Sequence, residues 1–302
     1  MFIVNKVYFK LRIDRLIGRI FSFFSEKFSS RLNILSEKET VEKICNNRLS
    51  VSRFGDGELH IAQEGCAIGF QKADKKLQAR LKEILCSDFD NSKICVCLPS
   101  CINDVSWMTD EAKDVWEKDL KYNRFFWRKM INKRNIYGDT QFTRPYIDYI
   151  DKSKAKERFE RIRKIWNNRD LLVVEGEKSK LGVGNDLFSD CSSIKRILCP
   201  PKDAFDKYND IINTIKKYDR YHLILIALGP TATILAYDLC QLGYQAVDIG
   251  HIDIEYEWCL SGVEKKEAVK GKYTNESMNN DLLICVDNNL KEYNSQIVER
   301  IL

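Results

Sequence analysis

Short apolar runs and longer stretches of helical period alternate along most of the chain. The runs 49–54 (LSVSRF), 93–98 (KICVCL), 170–174 (DLLVV), 194–198 (IKRIL), 222–228 (HLILIAL), 244–249 (YQAVDI) and 281–286 (DLLICV) read as strands. Apolar residues at helical spacing cover 37–46, 74–86, 110–132, 153–166, 204–217 and 230–242. Near-continuous apolar strands separated by helices predict an α/β fold: a Rossmann-like, mostly parallel sheet with helices on both faces. No repeat, low-complexity tract or Pro/Gly/Ser-rich linker divides the pattern, so residues 33–302 are expected to form one domain. The lysine-rich stretch 264–272 (EKKEAVKGK) reads as a solvated surface loop.

The first 32 residues follow another pattern. Ile13, Leu16, Ile17, Ile20, Phe21, Phe24 and Phe28 recur at helical spacing, with Arg12, Arg15, Arg19, Ser22 and Glu26 opposite them. This predicts an amphipathic leader helix, either lying on an anionic membrane surface or docked on protein, its own domain or a sister subunit. No apolar run is long enough to span a bilayer. Charge sharpens the division. Residues 1–35 hold seven Lys and Arg against two acids, which accounts for the whole net charge of +5. The remainder is balanced, which argues against a nucleic-acid surface. Eleven cysteines scattered through apolar runs, without a secretory signal, point to a reducing, cytoplasmic setting, peripheral at the inner face of the membrane if the leader binds lipid. Cys95, Cys97 and Cys101 lie in an alternating strand-like run and read as buried thiols, not zinc ligands.

In open α/β sheets, ligands bind beyond the carboxyl ends of the strands, and here those ends are polar and glycine-rich. The first strand candidate runs into RFGDGE. If the backbone stays extended there, Asp56 and Glu58 point the same way and can share a hard cation, Mn²⁺ or Mg²⁺, while Arg53 neutralises phosphate. The alternative is a turn at Asp-Gly with Glu58 in the first turn of a helix. In ALGPTATILAYDL, Pro230 suits a first helical turn, and Thr231 and Thr233 offer hydroxyls beside unpaired N–H groups, an arrangement that suits a diphosphate. GVGNDLF supplies Gly182 and Gly184 for close approach and Asn185 and Asp186 for hydrogen bonds. It lacks the full G-x-G-x-x-G spacing, which disfavours a nicotinamide dinucleotide but not a nucleotide. HIDIEYEW places His251, Asp253, Glu255 and Glu257 at alternate positions. Whether extended or helical, it concentrates carboxylates that would supply a general base: Glu255 first, then Asp253 and His251. TQFTRPYIDY with Arg144, together with Trp107, Trp116 and Trp127, would suit an acceptor site, although such aromatic residues more commonly form core.

RFGDGE, VEGEKSKLGVGNDLF, ALGPTATILAYDL and GYQAVDIGHIDIEYEW, in this order, closely resemble the bacterial GT-D-fold glycosyltransferases, from about residue 36 to about 262. The resemblance implies a nucleotide-sugar transferase whose Asp-x-Glu motif, here Asp56 and Glu58, takes part in divalent-metal binding. It also implies UDP-glucose as the leading donor and bacterial surface glycosylation as the setting. The acceptor would be a glycan, glycoprotein or lipid-linked sugar. Asp203 in CPPKDAF stands where relatives are expected to carry asparagine, which bears on contacts to uracil or ribose. A non-catalytic, membrane-associated scaffold of a polysaccharide-assembly complex is the rival expectation, and a homo-oligomer is compatible with either.

Overall fold

The computed structural model describes residues 18–20, 22–23, 31–272 and 289–302. The expected strand at 281–286 and most of the leader lie outside the described residues. The strands are β1 (Ser50–Arg53), β2 (Ile94–Leu98), β3 (Gly138–Asp139), β4 (Asp170–Gly176), β5 (Ser193–Cys199), β6 (Leu223–Ala227), β7 (Gln245–Asp248) and β8 (Ile297–Arg300). Among the described residues they form one sheet in the order β3-β2-β1-β7-β6-β4-β5-β8, parallel at every pairing. The chain leaves β1 toward one edge and β4 toward the other, so a crevice opens over β7 and β6 between them.

The helices are α1 (Glu37–Asn47), α2 (Asp56–Glu64), α3 (Lys75–Cys86), α4 (Asp110–Met130), α5 (Ala155–Arg163), α6 (Tyr208–Ile215), α7 (Pro230–Gln241), α8 (Ile252–Ser261) and α9 (Asn289–Gln296). Their starts follow from local chemistry. Ser36 and Glu39 close a capping box on α1, Ser36 N–H donating to Glu39 Oε2 at 2.9 Å and Glu39 N–H to Ser36 Oγ at 3.3 Å. Asp74 accepts from the N–H groups of Lys76 and Leu77 to start α3. In α4, Asp110 and Glu111 stand in the first turn and Arg128 and Lys129 in the last, each matched to the helix dipole.

Alternation along the strands sends successive side chains to opposite faces. Val51, Leu171, Val173, Leu223, Leu225 and Val247 pack in one core cluster, which also holds residues of α1, α5 and α8. Leu172, Val174, Ile224, Ile226 and Ala246 join Leu235 and Leu239 of α7 on the other face. Burial on both faces explains the near-continuous apolar runs. Cys95, Cys97 and Cys101 are buried, and no group of three His, Cys, Asp or Glu residues among those described could hold a metal ion as a self-contained cluster.

The lysine-rich stretch is not merely solvated, as its charge suggested. Lys272 is buried and reaches Asp253 Oδ2 and Glu257 Oε1, both at 2.7 Å. Lys266 pairs with Asp148 at 3.4 Å, and the Trp258 indole N–H donates to Glu267 O at 2.9 Å. The described leader residues rest on α4: the Phe125 N–H donates to Ser22 Oγ at 3.2 Å, and a Cβ at Gly18 would collide with the Tyr122 carbonyl. Ser22, expected on the polar face, is therefore buried, whereas Ile20, expected on the apolar one, is 48% exposed.

Candidate active site

A cleft of about 370 Å³ opens over the carboxyl ends of β1, β4, β5, β6 and β7. Arg53 closes β1, and its Nη1 meets Asp248 Oδ1, at the end of β7, at 3.2 Å. Gly250, at φ +47, is required beside this pair, because a Cβ there would strike the guanidinium. Burial raises the pKa of Asp248, and Arg53 opposes that shift.

Past Gly55 the chain does not stay extended. It turns directly into α2, so Asp56 and Glu58 occupy the first helical turn, as the alternative reading of RFGDGE has it, and do not share a strand face. Glu58 Oε2 accepts from the Gly55 N–H at 2.8 Å, a bond that satisfies one free donor of the helix start. Both carboxylates nevertheless line the cleft, Asp56 at an exposed position and Glu58 half-buried. Burial, with Asp248 and Asp56 nearby, pushes the Glu58 carboxyl up to about 7. One helical turn on, His60 also lines the cleft. Its Nε2 lies 2.9 Å from Asp119 Oδ2, and that hydrogen bond raises the imidazole pKa.

Other expected residues take other places. Gly229 borders the cleft at the start of α7, at φ +55, where a Cβ would collide with the Phe70 ring. Thr233 does not line the cleft: its Oγ1 donates to Arg53 O at 2.8 Å, while Ser52 Oγ donates back to Thr233 O at 2.8 Å, locking α7 to β1. Thr231 is wholly buried and likewise does not line the cleft. Nor do Gly182, Gly184, Asn185 and Asp186 line it. Gly182, at φ +72, accommodates the Phe188 ring. Asn185 Nδ2 donates to Asp253 Oδ1 at 2.8 Å and to Glu257 Oε1 at 2.6 Å. Asp186 accepts from the Tyr256 hydroxyl at 2.7 Å and pairs with Arg163 at 3.2 Å. Gly182, Asn185 and Asp186 thus serve contacts between elements, and Gly184 stands at an exposed position.

HIDIEYEW is helical, with His251 at its N-cap. Glu255, the first-ranked base, is fully buried outside the cleft, and its Oε2 accepts from the N–H groups of Tyr146 and Ile147 at 3.1 and 3.0 Å. Asp253 lines the cleft but is held by Lys272 and Asn185, whereas His251 stands on the lining itself. Asp203 also lines it, at φ +54, a conformation that short polar side chains tolerate. Its carboxylate accepts from the Lys72 N–H at 2.6 Å.

Sequence reasoning did not single out Asp248, Glu175 or His60. Asp248 and Glu175 share a readable signal, an acid at the end of an apolar strand. Glu175 is buried, pairs with Arg196 at 2.7 Å and accepts from the Leu181 N–H at 2.8 Å, fixing the loop that forms one cleft wall. Among the described lining residues, five carboxylates (Asp56, Glu58, Asp203, Asp248, Asp253) face three cations (Arg53, Arg144, Lys202). Asp248 pairs with Arg53 and Asp253 with Lys272, which leaves Asp56, Glu58 and Asp203 beside Arg144 and Lys202; among the described residues neither Asp56 nor Glu58 has a cation within salt-bridge distance. Two carboxylates without a cationic partner at the mouth of an anion-sized cleft fit a hard divalent cation, with further sites left for ligand oxygens.

An all-parallel α/β sheet with a polar cleft across its central carboxyl ends defines a doubly wound fold with its ligand-type cleft at the switch point. The match is closer than that. The chain belongs to the glycosyltransferase GT-D fold family, whose model matches residues 51–277. It is 42% identical over 264 residues to "Glycosyltransferase GlyD" of Streptococcus pneumoniae serotype 4, covering 87% of this chain and 32% of that protein. It is 36% identical over 278 residues to "Probable glycosyl transferase Gly" of Streptococcus gordonii, covering 92% of this chain and 40% of that one. The chain thus spans well under half the length of these relatives. A solved structure described as a highly conserved domain of unknown function with a distinct glycosyltransferase fold superposes with a TM-score of 0.87 at 40% identity, covering 93% of this chain and all of that one. A second, described as a new glycosyltransferase from Streptococcus sanguinis, gives 0.80 at 38% identity, covering 90% and 100%.

Proposed function

We propose that this chain transfers a sugar, with glucose the first candidate, from a UDP-sugar to an acceptor hydroxyl in bacterial surface glycan or glycoprotein assembly. The observation that carries this reading is the placement of Asp56 and Glu58, neither with a cation in salt-bridge reach among the described residues, in a cleft otherwise suited to a nucleoside diphosphate. A diphosphate entering there meets like charge unless a cation comes with it. Mn²⁺ or Mg²⁺ held by Asp56 and Glu58 would supply Lewis-acid stabilisation of the leaving group. Arg53, fixed by Asp248, presents a guanidinium to phosphate oxygens. The α7 N-terminus at Gly229 adds the positive end of a helix dipole.

His251 replaces Glu255 as the preferred base, because it lines the cleft, whereas Glu255 is buried outside it and Asp253 is enclosed in an ion pair with Lys272. In the transfer, the bond from the anomeric carbon to the β-phosphate oxygen breaks, and UDP leaves with its electron pair. The acceptor oxygen bonds that carbon, and the hydroxyl proton passes to the imidazole. Asp56→Ala is expected to reduce metal-dependent turnover of UDP-sugars by roughly a hundredfold or more while leaving thermal unfolding nearly unchanged. Full activity in that variant, or undiminished wild-type activity in excess chelator, would reject the metal role.

A further inference from the structure

A second cavity, of about 180 Å³, adjoins the cleft, and Arg53, Gly55, Asp56 and Arg144 line both. Its remaining walls come from elsewhere in the fold. Glu111, Val115 and Asp119 recur every four residues on one face of α4, with Trp116 beside them. Gln141 enters from the turn after β3, and the loop at 264–266 closes a third side, fastened by the Lys266–Asp148 and Lys152–Glu264 pairs, both at 3.4 Å.

The chemistry of these walls also differs from that of the first cavity. Val115 is a large apolar side chain left 60% exposed. Trp116 beside it is held by an edge contact with Trp127, with ring centroids 6.4 Å apart. Charged and polar groups surround this strip, the carboxylates of Glu111 and Asp119 and the cations Arg144, Lys265 and Lys266 among them. Gln141 is 2% exposed, and its Oε1 finds no hydrogen-bond donor among the described residues. A buried acceptor left without a donor costs about 1–3 kcal/mol unless a ligand supplies one. An apolar strip ringed by charged groups of both signs and an amide oxygen suits a pyranose: its C–H face packs on Val115 and Trp116, and its hydroxyls, which both donate and accept, bond to the rim.

We propose that this second cavity is the acceptor subsite, holding a pyranose unit with one hydroxyl at the junction beside Asp56. This rests on the donor reading of the first cavity. A donor sugar over Asp56 and an acceptor ring on α4 would then meet where the two cavities join, as transfer requires.

The test uses the full chain, a UDP-sugar that it hydrolyses, and p-nitrophenyl α- and β-pyranosides of glucose, galactose and N-acetylglucosamine, with products read by mass spectrometry. Wild-type protein is expected to glycosylate at least one of them. Val115→Arg and Glu111→Ala, both at exposed positions on α4, are expected to raise the KM for that pyranoside about tenfold or more, with the KM for the UDP-sugar unchanged. Unaltered pyranoside KM values in both variants would overturn the assignment, as would a wild type that hydrolyses donor yet glycosylates no pyranoside. Failure to hydrolyse any UDP-sugar would instead overturn the donor reading beneath it.

Discussion

Glu58 both caps a helix and lines the cleft. One of its oxygens caps α2 through the Gly55 N–H, and the carboxyl is raised to about 7 by burial and by Asp248 and Asp56. Because the folded pKa exceeds the unfolded value of 4.5, the folded chain binds more protons between the two. The stability this group contributes is therefore fully present below about 4.5 and is lost as pH rises through about 7. A divalent cation would reverse that cost by favouring the ionised form. Mn²⁺ affinity should accordingly fall as pH drops below about 7, with a proton released on binding. Calorimetry in buffers of different ionisation enthalpy measures both. An affinity flat from pH 6 to 8 would contradict the assignment, and Glu58→Gln should abolish the proton release. The residues of this motif were legible in the sequence, but their geometry only in part. Spacing alone favours a turn at Asp-Gly with Glu58 in a first helical turn, as found, but a glycine N-cap leaves no side-chain signature that fixes the helix start.

Among the elements, long apolar runs were read most closely. The expected strands at 170–174 and 222–228 appear as Asp170–Gly176 and Leu223–Ala227, and the expected helix at 230–242 as Pro230–Gln241. Short elements escaped: β3 is two residues long, and β8 is a four-residue edge strand of alternating exposure whose position depends on pairing with β5. For α8 the spacing allowed strand or helix, and long-range partners decide the matter. As a helix, Asp253 and Glu257 share one face and are joined by Lys272 and Asn185, residues far from them in sequence. The same distance in sequence explains why Lys272 read as a solvated charge. Lys272→Ala leaves the fully buried Asp253 without its cation and should destabilise the fold by about 3–5 kcal/mol in urea titration. A loss under about 1 kcal/mol would show that Asn185 alone suffices.

At the scale of the whole molecule, the basic leader and the balanced body divide the labour that the charge pattern indicates. The described leader residues dock on α4 through Gly18 and Ser22, which leaves Ile20 and Phe23 exposed, while the N-terminal half of the same helix lines the second cavity. No helix among the described residues is long and apolar enough to cross a membrane. If the leader also meets an anionic surface, the full chain will float with phosphatidylserine-containing liposomes and a chain lacking residues 1–32 will not. Equal behaviour of the two would assign the leader to protein packing alone. The cleft was legible because strand ends collect ligands in this fold class. The residues assigned from glycine and threonine spacing were misplaced, because Thr233, Gly182 and Asn185 serve contacts between elements that a linear pattern does not encode. The most direct measurement is calorimetric titration of UDP into wild-type and Asp56→Ala protein, with Mn²⁺ and in excess chelator. Binding to the wild type that requires the cation and disappears in the variant is the predicted result; equal affinity in chelator, or in Asp56→Ala, would contradict it.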